Sequence, residues 1–279
     1  MGWDELTASD EVKAADWIRD RLHPFGQDVG SVVPAGFEAY ARIFHPAWRY
    51  VDGDKIEVRW SDVAAASGRT VHAEMQFRSI AVPVARRKTG PPPWSGEPRL
   101  GVLSNQQALA LIGLLSKHTS TPDACWFCLW DGYGYLHPGA MAAVTSTFFG
   151  PPRFLGRRWW EYVFIRLGRR PKLERALRPP TPPPSPGPPP PTEPRVHLPG
   201  RDYVLFKGFA GQGEGWEDGP NLWWPDDRTW CVASEIDFPY TYVGGSSKLI
   251  EEILANPLLE ALTATPSQGI TASSDTINA

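Results

Sequence analysis

The sequence is short of several things that would place it quickly. Three cysteines in 279 residues exclude a disulfide scaffold. A formal net charge of -3 gives the chain as a whole no electrostatic attraction to nucleic acid. No run approaches the ~18 apolar residues of a membrane-spanning helix. The acidic start, Met-Gly-Trp-Asp-Glu-Leu, has no apolar core of a secretory signal, so the cytoplasm is the expected compartment. Lysine is scarce, 7 residues against 21 arginines, a bias associated with GC-rich genomes. No H-E-x-x-H, G-x-S-x-G, P-loop or helix-opening G-x-G-x-x-G occurs, and the six histidines are scattered. The sequence therefore names no reaction, and neither a metal nor a cofactor is expected.

What is present reads as globular. Hydrophobic residues make up 42% and charged residues 21%, a balance that can support a packed core. Ser9 or Asp10 caps a first helix with Val12, Ala15, Trp17, Ile18 and Leu22 on its apolar stripe. Residues 37–44 fit either a strand or one helical face. Asp52-Gly53 is hairpin-turn chemistry ahead of a strand over 55–60, and Ser61 or Asp62 caps an Ala-rich helix that Gly68 stops. Residues 75–84 read as extended and 86–101 as a loop. Ser104 caps the clearest helix, and residues 125–130 read as a buried strand. Further strands are expected over 203–207, 229–236 and 240–243, then a helix capped by Ser246 or Ser247, a short element over 258–262, and a frayed Ser/Thr-rich tail from Thr265.

Between these flanks the composition changes. Residues 153–178 hold nine basic residues and two acids, a local charge of +7, which leaves the rest of the chain at -10. Residues 179–199 contain twelve of the thirty prolines, a length that polyproline II can stretch to ~65 Å. The expected architecture is one α+β domain from residues 1–138 and 200–279, with a single mixed or antiparallel sheet and flanking helices. A basic, proline-rich insertion over 139–199 interrupts it. An echo between F-C-L-W-D-G-Y-G (127–134) and L-F-K-G-F-A-G (205–211) predicts two strands side by side in that sheet.

Two places can carry function. Residues 221–246 bring Trp223, Trp224 and Trp230 near Asp226, Asp227, Arg228, Glu235 and Asp237. Aromatic faces beside carboxylates suit a sugar or a cation, and paired carboxylates suit acid–base work. The same stretch also reads structurally, with Pro225-Asp226-Asp227 as a turn and the tryptophans as core. In the insertion, Trp160, Val163, Phe164 and Leu167 share one helical face, and Arg157, Arg158, Arg166, Arg169 and Arg170 surround it. Such a helix can bind an acidic partner or an anionic membrane surface, and the P-x-x-P registers after it suit aromatic grooves. Cys125-x-x-Cys128 lies inside a strand and reads as ordinary core. G-Q-G-E-G (211–215) is followed by acids rather than a helix and does not read as a phosphate loop.

The runs R-D-Y-V-L-F-K-G, N-L-W-W-P-D-D-R-T-W-C-V-A-S-E-I-D and T-Y-V-G-G-S-S-K-L-I-E-E-I-L in 200–262 resemble an uncharacterised actinobacterial family. F-E-A-Y-A-R-I-F-H-P (37–46) and H-T-S-T-P-D-A-C-W-F-C-L-W-D-G-Y-G (118–134) are similar to its earlier blocks. The resemblance implies that the two flanks form one unit, and it brings no activity, cofactor or site residue. The expected function is a non-catalytic cytoplasmic interaction protein, binding a protein partner through the insertion or the Trp/acid surface. An enzyme or small-ligand-binding protein using residues 221–246 is the alternative, and peripheral membrane association the third reading.

Overall fold

Six-residue runs such as Cys125–Trp130 are apolar throughout because the sheet that they build is covered on both faces. The computed structural model describes residues 6–82, 92–133, 136, 194–214 and 218–279. Chain contacts divide it into one unit of Met1–Asp131 with Glu193–Ala279 and another of Gly132–Thr192. The basic helix expected over 157–170, with Arg157, Arg158, Trp160, Phe164, Arg166, Arg169 and Arg170, lies outside the described residues.

The first unit is α+β. In chain order its strands are β1 (Thr7–Ala8), β2 (Ala39–Phe44), β3 (Ala47–Val51), β4 (Asp54–Val58), β5 (Cys125–Trp130) and β6 (Val196–Leu198). They continue as β7 (Arg201–Gly208), β8 (Leu222–Pro225), β9 (Cys231–Ala233), β10 (Tyr240–Gly245) and β11 (Ala261–Ala264). The helices among the described residues are α1 (Asp16–Arg19), α2 (Trp60–Ser67), α3 (Phe77–Ile80), α4 (Asn105–Leu115) and α5 (Ser247–Ala255).

Nine strands form one antiparallel sheet in the order β1-β7-β5-β8-β9-β10-β2-β11, with β6 also on β7. The echo pair lies side by side as expected, β5 against β7 from Cys125↔Gly208 to Trp130↔Tyr203. Strands β3 and β4 form a separate hairpin. Its turn places Asp52 and Gly53 at φ 53° and 97°, the left-handed pair that a two-residue hairpin requires.

Alternation along each strand sends residues to two different cores. One face buries Trp126, Cys128, Leu205, Trp224 and Tyr242 against Trp60, Met75 and the N-terminal segment. On the other, Phe127 stacks on Trp223 at 5.7 Å, and Trp230 Nε1 donates to the Leu115 carbonyl of α4 at 3.0 Å. Trp60, Trp224 and Trp230 are fully buried. Each removes ~200 Å² from water, at most about 5 kcal/mol at ~25 cal/mol per Å².

Several local expectations change. Of the residues 75–84 expected to run extended, the described ones, 75–82, turn instead into α3, whose Phe77 and Ile80 are buried. The first helix is split into a 3₁₀ turn, Val12–Ala15, and the four-residue α1. The strand expected over 229–236 contracts to β9, because the sharp turn at Arg228 (φ 57°) and Trp230 precede it. Proline-rich chain does not continue to 199, since β6 pairs with β7 through Val196↔Tyr203. The Ser/Thr-rich tail is anchored: Asp275 and Asn278 are buried, and Asp275 bonds His72 Nε2 at 2.8 Å and the Gln76 N–H at 2.9 Å.

Candidate functional site

The Trp/acid stretch is dispersed by its own strand. Trp223 and Trp224 are consecutive in β8 and so point to opposite faces, both buried. Asp226 and Asp227 follow the end of β8, whereas Glu235 and Asp237 follow the end of the antiparallel β9. The two pairs of acids therefore sit at opposite ends of the sheet.

Each of these residues has a local partner. Asp226 accepts the Trp126 Nε1–H at 3.0 Å. Asp227 Oδ2 accepts from the Thr119 hydroxyl, the Ser120 N–H and the Ser120 hydroxyl at 2.9, 2.7 and 2.8 Å, while Oδ1 accepts from the Thr229 hydroxyl at 2.8 Å. Burial alone would raise the Asp227 carboxyl; these bonds outweigh it and hold the group below its ordinary value. Arg228 lies over Trp17 at 5.8 Å. Glu235 pairs with Arg201 at 2.6 Å, and Asp237 approaches the same guanidinium at 3.6 Å. Arg201 lies 5.0 and 5.1 Å from the Phe25 and Trp130 rings, a stacked ion pair that fastens β7 to the segment after β9.

The other motifs resolve similarly. Cys125 and Cys128 face opposite sides of β5; burial, reinforced by Asp227, Asp123 and Asp226, pushes the Cys125 thiol up to about 12, and burial raises Cys128 and Cys231 as well. Gln212 and Gly213 belong to a 3₁₀ turn, Ala210–Gly213. The N-terminus of α5 is occupied, with Ser246 Oγ accepting the Leu249 N–H and Glu38 accepting the Ser247 N–H at 2.9 Å. Among the described residues no group of His, Cys, Asp or Glu is arranged to hold a metal ion, and no helix is long and apolar enough to cross a membrane.

The arrangement that collects polar and aromatic groups lies elsewhere. A cleft of about 280 Å³ runs between the β3–β4 hairpin and residues 97–105. Its walls include Trp48, Lys55 and Glu57 from the hairpin and Glu97, Arg99 and Asn105 opposite. Lys55 Nζ lies 5.1 Å from the Trp48 ring, and Tyr50 meets Trp48 edge-on at 5.3 Å. Tyr50 is 61% exposed, and Val51 and Ile56 are also exposed.

Behind the cleft sits His45, fully buried. Its Nδ1 donates to the Arg99 carbonyl at 2.8 Å, so Nε2 is left to accept the Thr241 hydroxyl at 2.8 Å. Thr241 in turn accepts the Ser234 hydroxyl at 2.7 Å. Burial pushes the imidazole down to about 4, against the Arg99 bond that raises it. His45 is thus a neutral fixture that ties β2, β9 and β10 to the cleft's opposite wall. With that value it is poorly matched to proton transfer near neutral pH.

The hairpin is legible in the sequence through Asp52-Gly53, and its separation from the main sheet is not. The available signal is the charge at Arg49, Asp54, Lys55, Glu57 and Arg59, too dense for a strand buried on even one face. Comparison with family models, with curated proteins and with solved structures finds no match for this chain.

Proposed function

We propose that the protein is a non-catalytic, cytoplasmic binding protein that receives a protein partner on the β3–β4 hairpin and in the cleft beside it. The observation that carries this reading is the hairpin itself, a two-stranded arm with Tyr50, Val51 and Ile56 exposed. The base of the hairpin is fixed, with Ala47 and Val58 buried and the Trp48 backbone exchanging hydrogen bonds with Ser95 and Gly96. The exposed aromatic and aliphatic residues toward its tip are therefore presented on a supported element, a recognition feature. The cleft presents cations, carboxylates and an indole together, a mixture suited to a polypeptide rather than to a ligand of one sign. The basic segment 153–178 and the proline-rich segment after it supply a second contact on sequence grounds.

The test is site-directed photo-crosslinking in cells. A photoreactive residue at Tyr50 should capture one defined protein, while the same group at exposed Leu258 should not. Adding Trp48→Ala and Ile56→Asp should abolish capture without changing the circular dichroism spectrum. Equal capture from both positions, or capture that survives both substitutions, refutes the hairpin as the docking element.

A further inference from the structure

Arg42 is the side chain least accounted for by the fold. It lies mid-strand in β2, opposite Tyr242 of β10 and Leu262 of β11, and is 1% exposed. Its Nη1 donates to the Ala73 carbonyl at 2.5 Å. The guanidinium lies 3.6 Å over the Tyr240 ring and 5.0 Å from that of Phe44. Nε and Nη2 meet no hydrogen-bond acceptor in good geometry among the described residues, although burial raises the Tyr240 hydroxyl and the guanidinium opposes that rise.

These two nitrogens form the side-on edge of the guanidinium, the parallel pair of N–H groups that fits a carboxylate. The same molecule shows that edge in use: Arg201 directs Nε and Nη2 to Glu235 at 3.3 and 2.6 Å. In Arg42 the corresponding edge makes no hydrogen bond among the described residues, at a depth where an uncompensated charge is strongly destabilising. Stacking on Tyr240 offsets part of that cost.

Beyond the Phe44 ring lies a cleft of mixed polarity, with apolar side chains along one part and Arg59, Ser61, Asn256 and Glu260 along another. It has a volume of about 270 Å³ beside the start of α2, and its apolar part is lined by Phe44, Val71, Met75, Leu254, Leu259 and Leu262. Phe44 both walls this cleft and flanks the guanidinium, and Leu262 is Arg42's neighbour across the strand pair. The cleft's own charged groups are already committed. Glu260 accepts the Trp60 and Ser61 N–H groups at 2.6 and 2.7 Å, and Arg59 Nη1 donates to the Pro257 carbonyl at 3.2 Å.

We propose that this cleft binds a small anionic amphiphile, a medium-chain carboxylate. Its headgroup takes the Nε/Nη2 edge of Arg42 once the Phe44 ring turns aside, and its tail lies along Met75, Leu259 and Leu262. A planar monoanion is favoured over a phosphate, because the open edge offers two in-plane donors. Burial raises the nearby Tyr242 hydroxyl, the charge of Glu74 adds a little to it, and that carboxylate also opposes a second negative charge.

The test is calorimetric titration of the full chain with decanoate, decanol and decyl phosphate. Decanoate should bind saturably at one site and raise Tm, and the other two should bind at least tenfold more weakly. Arg42→Met removes the buried charge and should fold with an unchanged or higher Tm, yet lose at least tenfold in decanoate affinity. Val71→Trp, which fills the cleft from its exposed rim and leaves Arg42 intact, should do the same. Absence of saturable decanoate binding, or binding undiminished in either variant, overturns the proposal; equal binding of decyl phosphate overturns the carboxylate assignment.

Discussion

At the residue scale, His45 converts burial into a pH dependence. The imidazole titrates near 4 in the folded chain and near its ordinary ~6.5 when unfolded. Between those values the unfolded chain binds a proton that the native state refuses. Its contribution is therefore complete above pH ~6.5 and is lost as pH falls toward 4, on the order of 3 kcal/mol in all. Urea unfolding at pH 7 and pH 4.5 measures it, and His45→Gln should flatten the difference; an unchanged slope would show that other groups set it. Asp227 works in a lower window. Its carboxyl is depressed, so its support is present above the unfolded carboxylate value and fades only as pH drops through the folded one. Asp227→Ala should cost ~1 kcal/mol at pH 7, since it removes the acceptor shared by Thr119, Ser120 and Thr229, whose exposed donors water then partly satisfies. The turn role of Asp226-Asp227 is legible in Pro-Asp-Asp, and the opposed faces of Trp223 and Trp224 follow from strand periodicity. The buried state of Arg42 and His45 is not legible, because it depends on Tyr240, Thr241 and Leu262, about two hundred residues away in sequence.

At the scale of elements, legibility follows the distance to the stabilising partner. Helices α4 and α5 carry their own caps, Ser104 with Gln107 and Ser246 with Leu249, and the sequence announces both. Helix α2 is capped at Arg59, two residues before Ser61 and three before Asp62, the caps that local chemistry favours, because Glu260 reaches its first N–H groups from the far side of the chain. Glu260→Ala should cost ~1 kcal/mol and Glu260→Gln less, with faster amide exchange confined to the first turn of α2. The tail obeys the same logic. Its serines and threonines read as fraying, yet Asp275 joins His72, Gln76 and Asn278 in one buried cluster. Asp275→Ala should free residues 265–279 for proteolysis while the nine-stranded sheet persists; cleavage unchanged from wild type would mean that Ile270 and Tyr240 hold the tail without it.

For the whole molecule, the order of the sheet explains why a long insertion is tolerated where it is. Strand β5 leaves the sheet at Trp130 and the chain returns through β6, and both lie against β7. The two ends meet, since Arg195 Nε donates to Asp131 Oδ1 at 2.8 Å and the Asp131 N–H bonds the Asp202 carbonyl at 2.9 Å. A break in the strand-forming sequence and the shift to proline mark the long segment between β5 and β6. That its ends are pinned to each other was hidden, because Asp131 and Arg195 are far apart in the chain. Replacing residues 134–193 by a linker of about six residues should therefore close without strain. Shortening that loop roughly tenfold favours the native state by about 2 kcal/mol of closure entropy, less whatever contacts the removed segment made. Guanidinium unfolding should show one transition at equal or higher midpoint, and a deletion extended through Pro199 should lower it by also removing β6. If the shorter excision melts the sheet, residues 134–193 contribute to its stability. If it folds but no longer captures a partner at the Tyr50 crosslinker, the segment and the hairpin act on one ligand together.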